Sequence, residues 1–413
     1  MSLSDPLPNG QSTTPSVRLS VTDIQPPPVF LDGFATTPLA DEARAAMLAV
    51  WDQPGNAGSP NASGEHAARI IDDARADVAA LIGATASEII FTSGATEANN
   101  LALLGVANAT RSLSRRRRII VSAIEHKSVL EPAAALGADG FEIATAPVDA
   151  HGCLDLEALM ALLDENVLLV SIMLVNNETG VIQPVAEVAA LAHAFGAYVH
   201  ADAAQAAGKI AVDVSLLDVD YLSISAHKCY GPMGIGALYV AAGMPPPAPL
   251  MRGGGQQSGI RPGTEPVPLI AGFGAAARAA MDYLAGVESA KPTAQIDRLL
   301  DELVRNQLRF TRITGDHAVV PGSAAIAIDG IEGDSLCAQV SRQASLSTGS
   351  ACTSGQIRIS HVLEAMGFSE ENARSVVRIF CNRTLPDAEI DRATSAIIAS
   401  VHRSRLATGE VRQ

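Results

Sequence analysis

The chain has 413 residues, 48% of them hydrophobic and 18% charged, with a formal net charge of −15. This composition supplies one large or two ordinary globular cores and excludes a disordered chain. The acidic balance repels phosphate backbones and argues against nucleic-acid binding.

Residues 1–28 are rich in Ser, Thr and Pro and read as a flexible tail. They contain no basic segment followed by an apolar one, so no secretory signal is expected. No charge-free apolar run reaches the roughly 20 residues that span a bilayer. The expectation is a soluble, cytoplasmic protein. The body opens at "VFLDGFATTP". From there the apolar runs "EIIFT", "RIIVS", "VLLVSIMLV" (Val167 to Val175), "AYVHAD", "YLSIS" and "GALYV" (ending at Val240) read as strands covered on both faces. Helical patterns separate them. In "EHAARIIDDARADVAALIG" the apolar residues recur at helical spacing. "PVAEVAALAHAFG" starts with Pro184 and stops with Gly196. The basic run "RSLSRRRR", Arg111 to Arg118, lies between a helix and a strand and reads as a solvated connection.

Alternating strands and helices predict an α/β fold with a mostly parallel sheet. "MPPPAPLMRGGGQQSGIRPGTEP" interrupts the pattern. A long helical stretch, "SAAIAIDG", "SVVRIFCN" and a final helix follow. The predicted division is a large domain over 29–283 and a smaller C-terminal α/β domain over 284–413.

Ligands of an open α/β sheet bind where strands end and helices begin. "FTSGATEANN" offers the amides near Ala95 and Thr96, and the Thr96 hydroxyl, to a phosphate; a plain helix cap explains Ser93 and Thr96 equally well. "VHADAAQAAGK" places Asp202 past a buried strand, either as a cap or as the partner of a protonated ring nitrogen, with Gln205 close by. "SISAHKCYGPMGIG" ends a strand in Ser225, His227 and Lys228. A lysine there loses hydration and becomes a free amine able to form a Schiff base; the plainer alternative is a snorkelling lysine. His126, in "SAIEHKSVLEP", is either a satisfied core histidine or a ring stacked on a cofactor. Jointly these residues meet the requirements of pyridoxal 5'-phosphate.

Five cysteines, odd in number and without a C-x-x-C pair, argue against a disulfide framework or a zinc site and for reduced thiols. Cys352 lies in "STGSACTSGQ", a run of small and hydroxyl residues that gives a thiol no packing reason. Cys229, Cys337 and Cys381 read as core, and Cys153 as part of a turn.

These motifs, with "VNNETGVIQP" and "GGGQQSGIRPGT", together resemble the pyridoxal-phosphate cysteine desulfurases of the class V aminotransferase group, within fold type I, from about Val29 to near the C-terminus. The resemblance implies that Lys228 carries the cofactor, that Asp202 partners the pyridine nitrogen, and that His126 stacks on the ring. Gln205 and Asn177 would contact the ring hydroxyl and the substrate. Ala95, Thr96, Ser225 and His227 would form the phosphate cup, and Thr264 would reach the phosphate of a neighbouring subunit, implying a homodimer. Arg378 would pair with the substrate carboxylate. L-cysteine would take the place of Lys228, released Lys228 would remove the Cα proton, and the Cys352 thiolate would attack the substrate sulfur. The products would be L-alanine and a persulfide on Cys352, destined for a sulfur-acceptor protein. The stretches "LDGFATTP", "GNAGS" and "IFCNR", and Met233, depart from the commonest family forms. The competing readings are a selenocysteine lyase or cysteine-sulfinate desulfinase, a plain class V aminotransferase, and a non-catalytic sulfur-pathway partner that keeps only the fold.

Overall fold

The structure is a computed structural model that describes residues 26–348 and 359–408. Residues 1–25 of the expected tail, and Cys352, lie outside the described residues. In chain order the strands are β1 (Val29–Phe30), β2 (Ile89–Thr92), β3 (Arg118–Ser122), β4 (Glu142–Ala146), β5 (Val167–Ser171), β6 (Tyr198–Asp202), β7 (Tyr221–Ser225), β8 (Gly236–Val240), β9 (Phe310–Arg312), β10 (Ser323–Ile328), β11 (Ala344–Ser345) and β12 (Val376–Phe380).

A seven-stranded sheet in the order β2-β8-β7-β6-β5-β3-β4 forms the larger body. β8 runs antiparallel to both neighbours, and the remaining pairs are parallel. Every residue of β5 and β7 is buried. Such strands read as unbroken apolar runs because helices cover both sheet faces. β4 is an edge strand with a largely open face, "EIATA", and its mixed composition hid it from the apolar pattern. The long run expected from Val167 to Val175 ends as a strand at Ser171. Pairing with β6 still continues, as the amides of Ile172 and Leu174 donate to the carbonyls of His200 and Asp202.

The helix Ala62–Leu81 is capped by Asn61, whose side chain accepts from the Gly64 amide at 2.9 Å. It packs with the helix Val267–Ala285 against the large sheet. The helix Lys291–Arg305 turns Ile296, Leu299, Leu300 and Leu303 into a second core beneath the antiparallel sheet β9-β10-β12. The basic run is more than a solvated connection. Arg116 Nη1 donates at 2.8 Å to the carbonyls of both Val167 and Phe195, and Arg118 pairs with Glu142 and Asp164. Arg111 and Arg117 lie over the Phe141 ring. The run ties strand β5 and edge strand β4 to their surroundings.

The segment after β1 passes between the two bodies. β1 pairs with β11, and the Leu31 carbonyl accepts from the Phe380 amide at 2.8 Å. Gly33 is required there, because a Cβ at this position would lie 2.1 Å from Phe380 Cδ1. Two of the departing stretches therefore touch: the missing side chain at Gly33 makes room for Phe380. This contact presents Asp32 and Phe34 to the space between the sheets.

Candidate active site

One cavity of about 940 Å³ opens at the C-terminal ends of β3, β6 and β7. Ala95, Thr96, His126, Asn177, Asp202, Gln205, Ser225, His227, Lys228 and Arg378 all line it. Thr264 does not; it is exposed on its own chain.

Lys228 follows β7 in a short 3-10 turn, Ala226–Lys228. Its Nζ donates to the Phe34 carbonyl and, at 2.8 Å, to the Ala35 carbonyl. Burial, with the Arg378 charge, lowers its pKa to about 8. The amine is thus partly free near neutrality, as Schiff-base chemistry requires.

Asp202 ends β6 and is 5% exposed. Its Oδ2 accepts from Asn99 Nδ2 at 2.7 Å and its Oδ1 from the Ala204 amide at 2.9 Å. Both donors are neutral, and among the described residues no lysine or arginine pairs with it. A buried carboxylate held this way suits a cationic N–H delivered from the cavity.

His126 caps the helix Lys127–Ala138 with its own ring: Nδ1 accepts from the Ser128 amide at 3.1 Å. Ser128 Oγ, 2.7 Å from the same nitrogen, also accepts from Asn99 Nδ2 at 2.8 Å. The proton of the neutral ring therefore sits on Nε2. Although open to the cavity, the ring is surrounded by protein atoms that lower its pKa and keep it neutral. Asn99 thus links His126, through Ser128, to Asp202. Nothing in the sequence pattern singled out Asn99 for this.

Gly94 begins the helix Ala95–Asn100 at φ +152° with no side-chain cap, 3.8 Å (measured from an ideal Cβ) from Ser225 Oγ. The turn is fixed by Glu97, which accepts from the Ser93 amide at 2.6 Å and pairs with Arg261 at 3.1 Å. The phosphate-cup candidates therefore converge on a helix start. Burial lowers the His227 pKa to about 4, so this ring is neutral, with Nδ1 beside Thr36 Oγ1 at 3.1 Å.

Arg378, on β12, is 7% exposed. Nη2 donates to Asp32 Oδ1 at 2.7 Å, Nη1 donates to the Asn177 carbonyl, and Nε is buried with no partner among the described residues. Ser347 Oγ donates to the same Asp32 oxygen at 2.9 Å. Cys337, expected in the core, packs partly buried against the second core and also lines the cavity, because its helix Gly333–Val340 lies along the rim. Burial raises its thiol to about 11, so it is a poor nucleophile. Cys229 and Cys381 are buried.

A family model described as "Aminotransferase class-V" matches residues 29–392. The chain belongs to the class V aminotransferase family. Enzymes of this family use pyridoxal phosphate, and the α/β architecture with its mostly parallel sheet is their fold type I. The "Cysteine desulfurase IscS" of Rickettsia bellii is 39% identical over 388 residues, covering 92% of each chain. The solved structure of a "NifS-like protein" superposes with a TM-score of 0.83 at 34% identity, covering 91% of this chain and all of that one. A structure titled "SspA in complex with cysteine" gives a TM-score of 0.75 at 35% identity, covering 85% and 98%.

The residues present fit the cofactor. Arg378 Nε and the Asp202 carboxylate, the first with no partner and the second with only neutral donors among the described residues, and the partly free Lys228 amine surround one cavity.

Proposed function

We propose that the chain is a cysteine desulfurase that takes L-cysteine, releases L-alanine and retains the sulfur as a persulfide on Cys352. The observation that carries this reading is the gathering of Lys228, Asp202, His126 and Arg378 around one cavity in a chain of this family. When bound, pyridoxal phosphate supplies a carbonyl for amines and a ring that delocalises charge from the substrate Cα.

The chain's own groups divide the remaining tasks. Lys228 Nζ anchors the cofactor, then takes the Cα proton; its lowered pKa leaves it able to accept one. Asp202 holds a proton on the ring nitrogen. His126, with its proton on Nε2, covers the ring face. The amides at Ala95 and Thr96, with Ser225 and His227, bind the phosphate. Arg378 takes the substrate carboxylate, with Asn177 beside it. The Cys352 thiolate attacks the substrate sulfur, forming an S–S bond as the C–S bond breaks. The electron pair of that bond remains on the carbon side and is protonated, and Lys228 returns the proton to Cα, giving L-alanine.

Further parts of the reading go with it. The large domain spans 29–283 and the small domain 284–413. Thr264 serves a neighbouring subunit of a homodimer. A thiol that must stay reduced suits the cytoplasm, and the persulfide passes to an acceptor protein. Among the described residues no helix is long and apolar enough to cross a membrane. The test is product analysis: L-cysteine yields equimolar L-alanine and reducible sulfur, with no amino transfer to a keto acid. Amino transfer without sulfur release would instead establish a plain aminotransferase.

A further inference from the structure

A second lysine lies behind the cavity wall. Lys209, in the turn after β6, is 6% exposed. Among the described residues no carboxylate pairs with it. Its Nζ donates to Gln205 Oε1 at 2.7 Å and stands 5.6 Å from the ring centres of both Phe34 and Phe380. Burying a lysine without a counter-charge is costly. Burial and the charges of Lys228 and Arg378 pull its pKa well down, and among the described residues two aromatic faces and one amide oxygen face the amine. A methionine would fill the same space without that cost, so the packing alone does not call for an amine.

The contact fixes an orientation. A backbone carbonyl only accepts, so the Gln205 amide nitrogen must face Phe34 and Oε1 must face Lys209, whose amine donates whether charged or neutral. Gln205 lies between the two: Oε1 faces Lys209, and Nε2 donates to the Phe34 carbonyl at 2.9 Å. The same Phe34 carbonyl accepts from Lys228 Nζ. Gln205 lines the cavity, and Nε2 carries a second hydrogen. The amide therefore offers the cavity a donor, and Lys209, together with the Phe34 carbonyl, holds it against turning over to offer an acceptor.

We propose that Lys209 is a positioning residue. By holding Gln205 Oε1 it keeps an N–H directed at the bound ring's hydroxyl oxygen and stabilises that oxygen as an anion. The proposal rests on the reading that pyridoxal phosphate occupies this cavity. A donor at this oxygen weakens the oxygen's own hold on the proton of the Lys228–cofactor linkage. That proton is then lost at lower pH.

The test is a pH titration of the visible absorbance of purified holoenzyme. Lys209→Met is expected to raise the midpoint by about one pH unit, the worth of one hydrogen bond. In a Gln205→Met background the same change is expected to move it by less than half as much, since Lys209 acts through Gln205. An unmoved midpoint, even with a lowered melting temperature, overturns the proposal and leaves Lys209 a structural residue. A shift that persists in full without Gln205 overturns it as well. Wild-type protein with no visible band at any pH overturns the cofactor reading, and this inference with it. Should Lys209→Met fail to fold, Gln205→Glu tests the same contact. The new carboxylate pairs with Lys209 and turns an acceptor on the ring oxygen, so the midpoint rises by more than in Lys209→Met; an unmoved midpoint overturns the proposal.

Discussion

Arg378 Nη2 lies 2.7 Å from Asp32 Oδ1, in an ion pair whose side chains are 9% and 19% exposed. The arginine proposed to receive the substrate carboxylate thus already holds a carboxylate from its own chain. Asp32 aligns the guanidinium, yet it competes with the substrate for it. Asp32→Asn keeps an acceptor for Nη2 and removes the competing charge. The KM for L-cysteine is expected to fall by about tenfold, the effect of a like-charge interaction of roughly 1.4 kcal/mol. A raised KM would show that alignment dominates. Arg378→Lys keeps the charge and loses the planar fork, and KM is expected to rise by about 100-fold.

Lys228 titrates near pH 8 in the cofactor-free chain, because burial and Arg378 disfavour its charged form. The free amine is the species that attacks a carbonyl. The rate of cofactor loading into apo-protein, followed by visible absorbance, is expected to rise with pH and level off above about 8. A rate still climbing toward the ordinary lysine range would contradict the desolvated amine. Lys228→Ala is expected to give a protein without the band.

Asp202→Asn replaces the carboxylate by an amide of the same shape and leaves Asn99 and the Ala204 amide in place. A fall in kcat of about 100-fold or more is expected, with little change in KM, because a fixed charge aimed at the reacting ring acts on the transition state. Equal changes in both constants would argue for a role in folding the cavity.

Glu125 is fully buried, and burial raises its pKa to about 8. Ser122 Oγ and the Met173 amide donate to one oxygen, and Oε2 has no partner among the described residues. The folded state therefore keeps a proton that the unfolded chain releases at ordinary carboxylate pH. The stability contributed is complete below the unfolded value and is lost as pH rises through about 8. Glu125→Gln mimics the protonated form. Its melting temperature is expected to match wild type at acid pH and to exceed it by at least about 2–4 °C at pH 8, the effect of a single kcal/mol, which the raised pKa exceeds. Equal curves at both ends would show that Glu125 ionises freely.

The strand-end residues were legible in the sequence because their signal is local. Asp202 ends an apolar strand and Lys228 follows one, each at a point where an unpaired charge needs a purpose. Asp32 and Lys209 were not legible. Asp32 meets Arg378 across 346 positions of sequence, and Lys209 gains meaning only when Phe34 and Phe380 close on it. Cys337 was legible in part for the same reason: it packs on the core as its apolar helix implies, and only tertiary packing shows that it also borders the cavity. Edge strand β4 escaped because an open face carries no apolar run.

The central claim is that sulfur leaves L-cysteine for Cys352. Mass spectrometry of peptides from holoenzyme treated with L-cysteine and then alkylated tests it most directly. The expected result is one added sulfur atom on the peptide carrying Cys352, removed by a thiol reductant and absent from Cys352→Ser, which keeps the visible band. Sulfur found on Cys337 instead, or full persulfide formation in Cys352→Ser, would contradict the account.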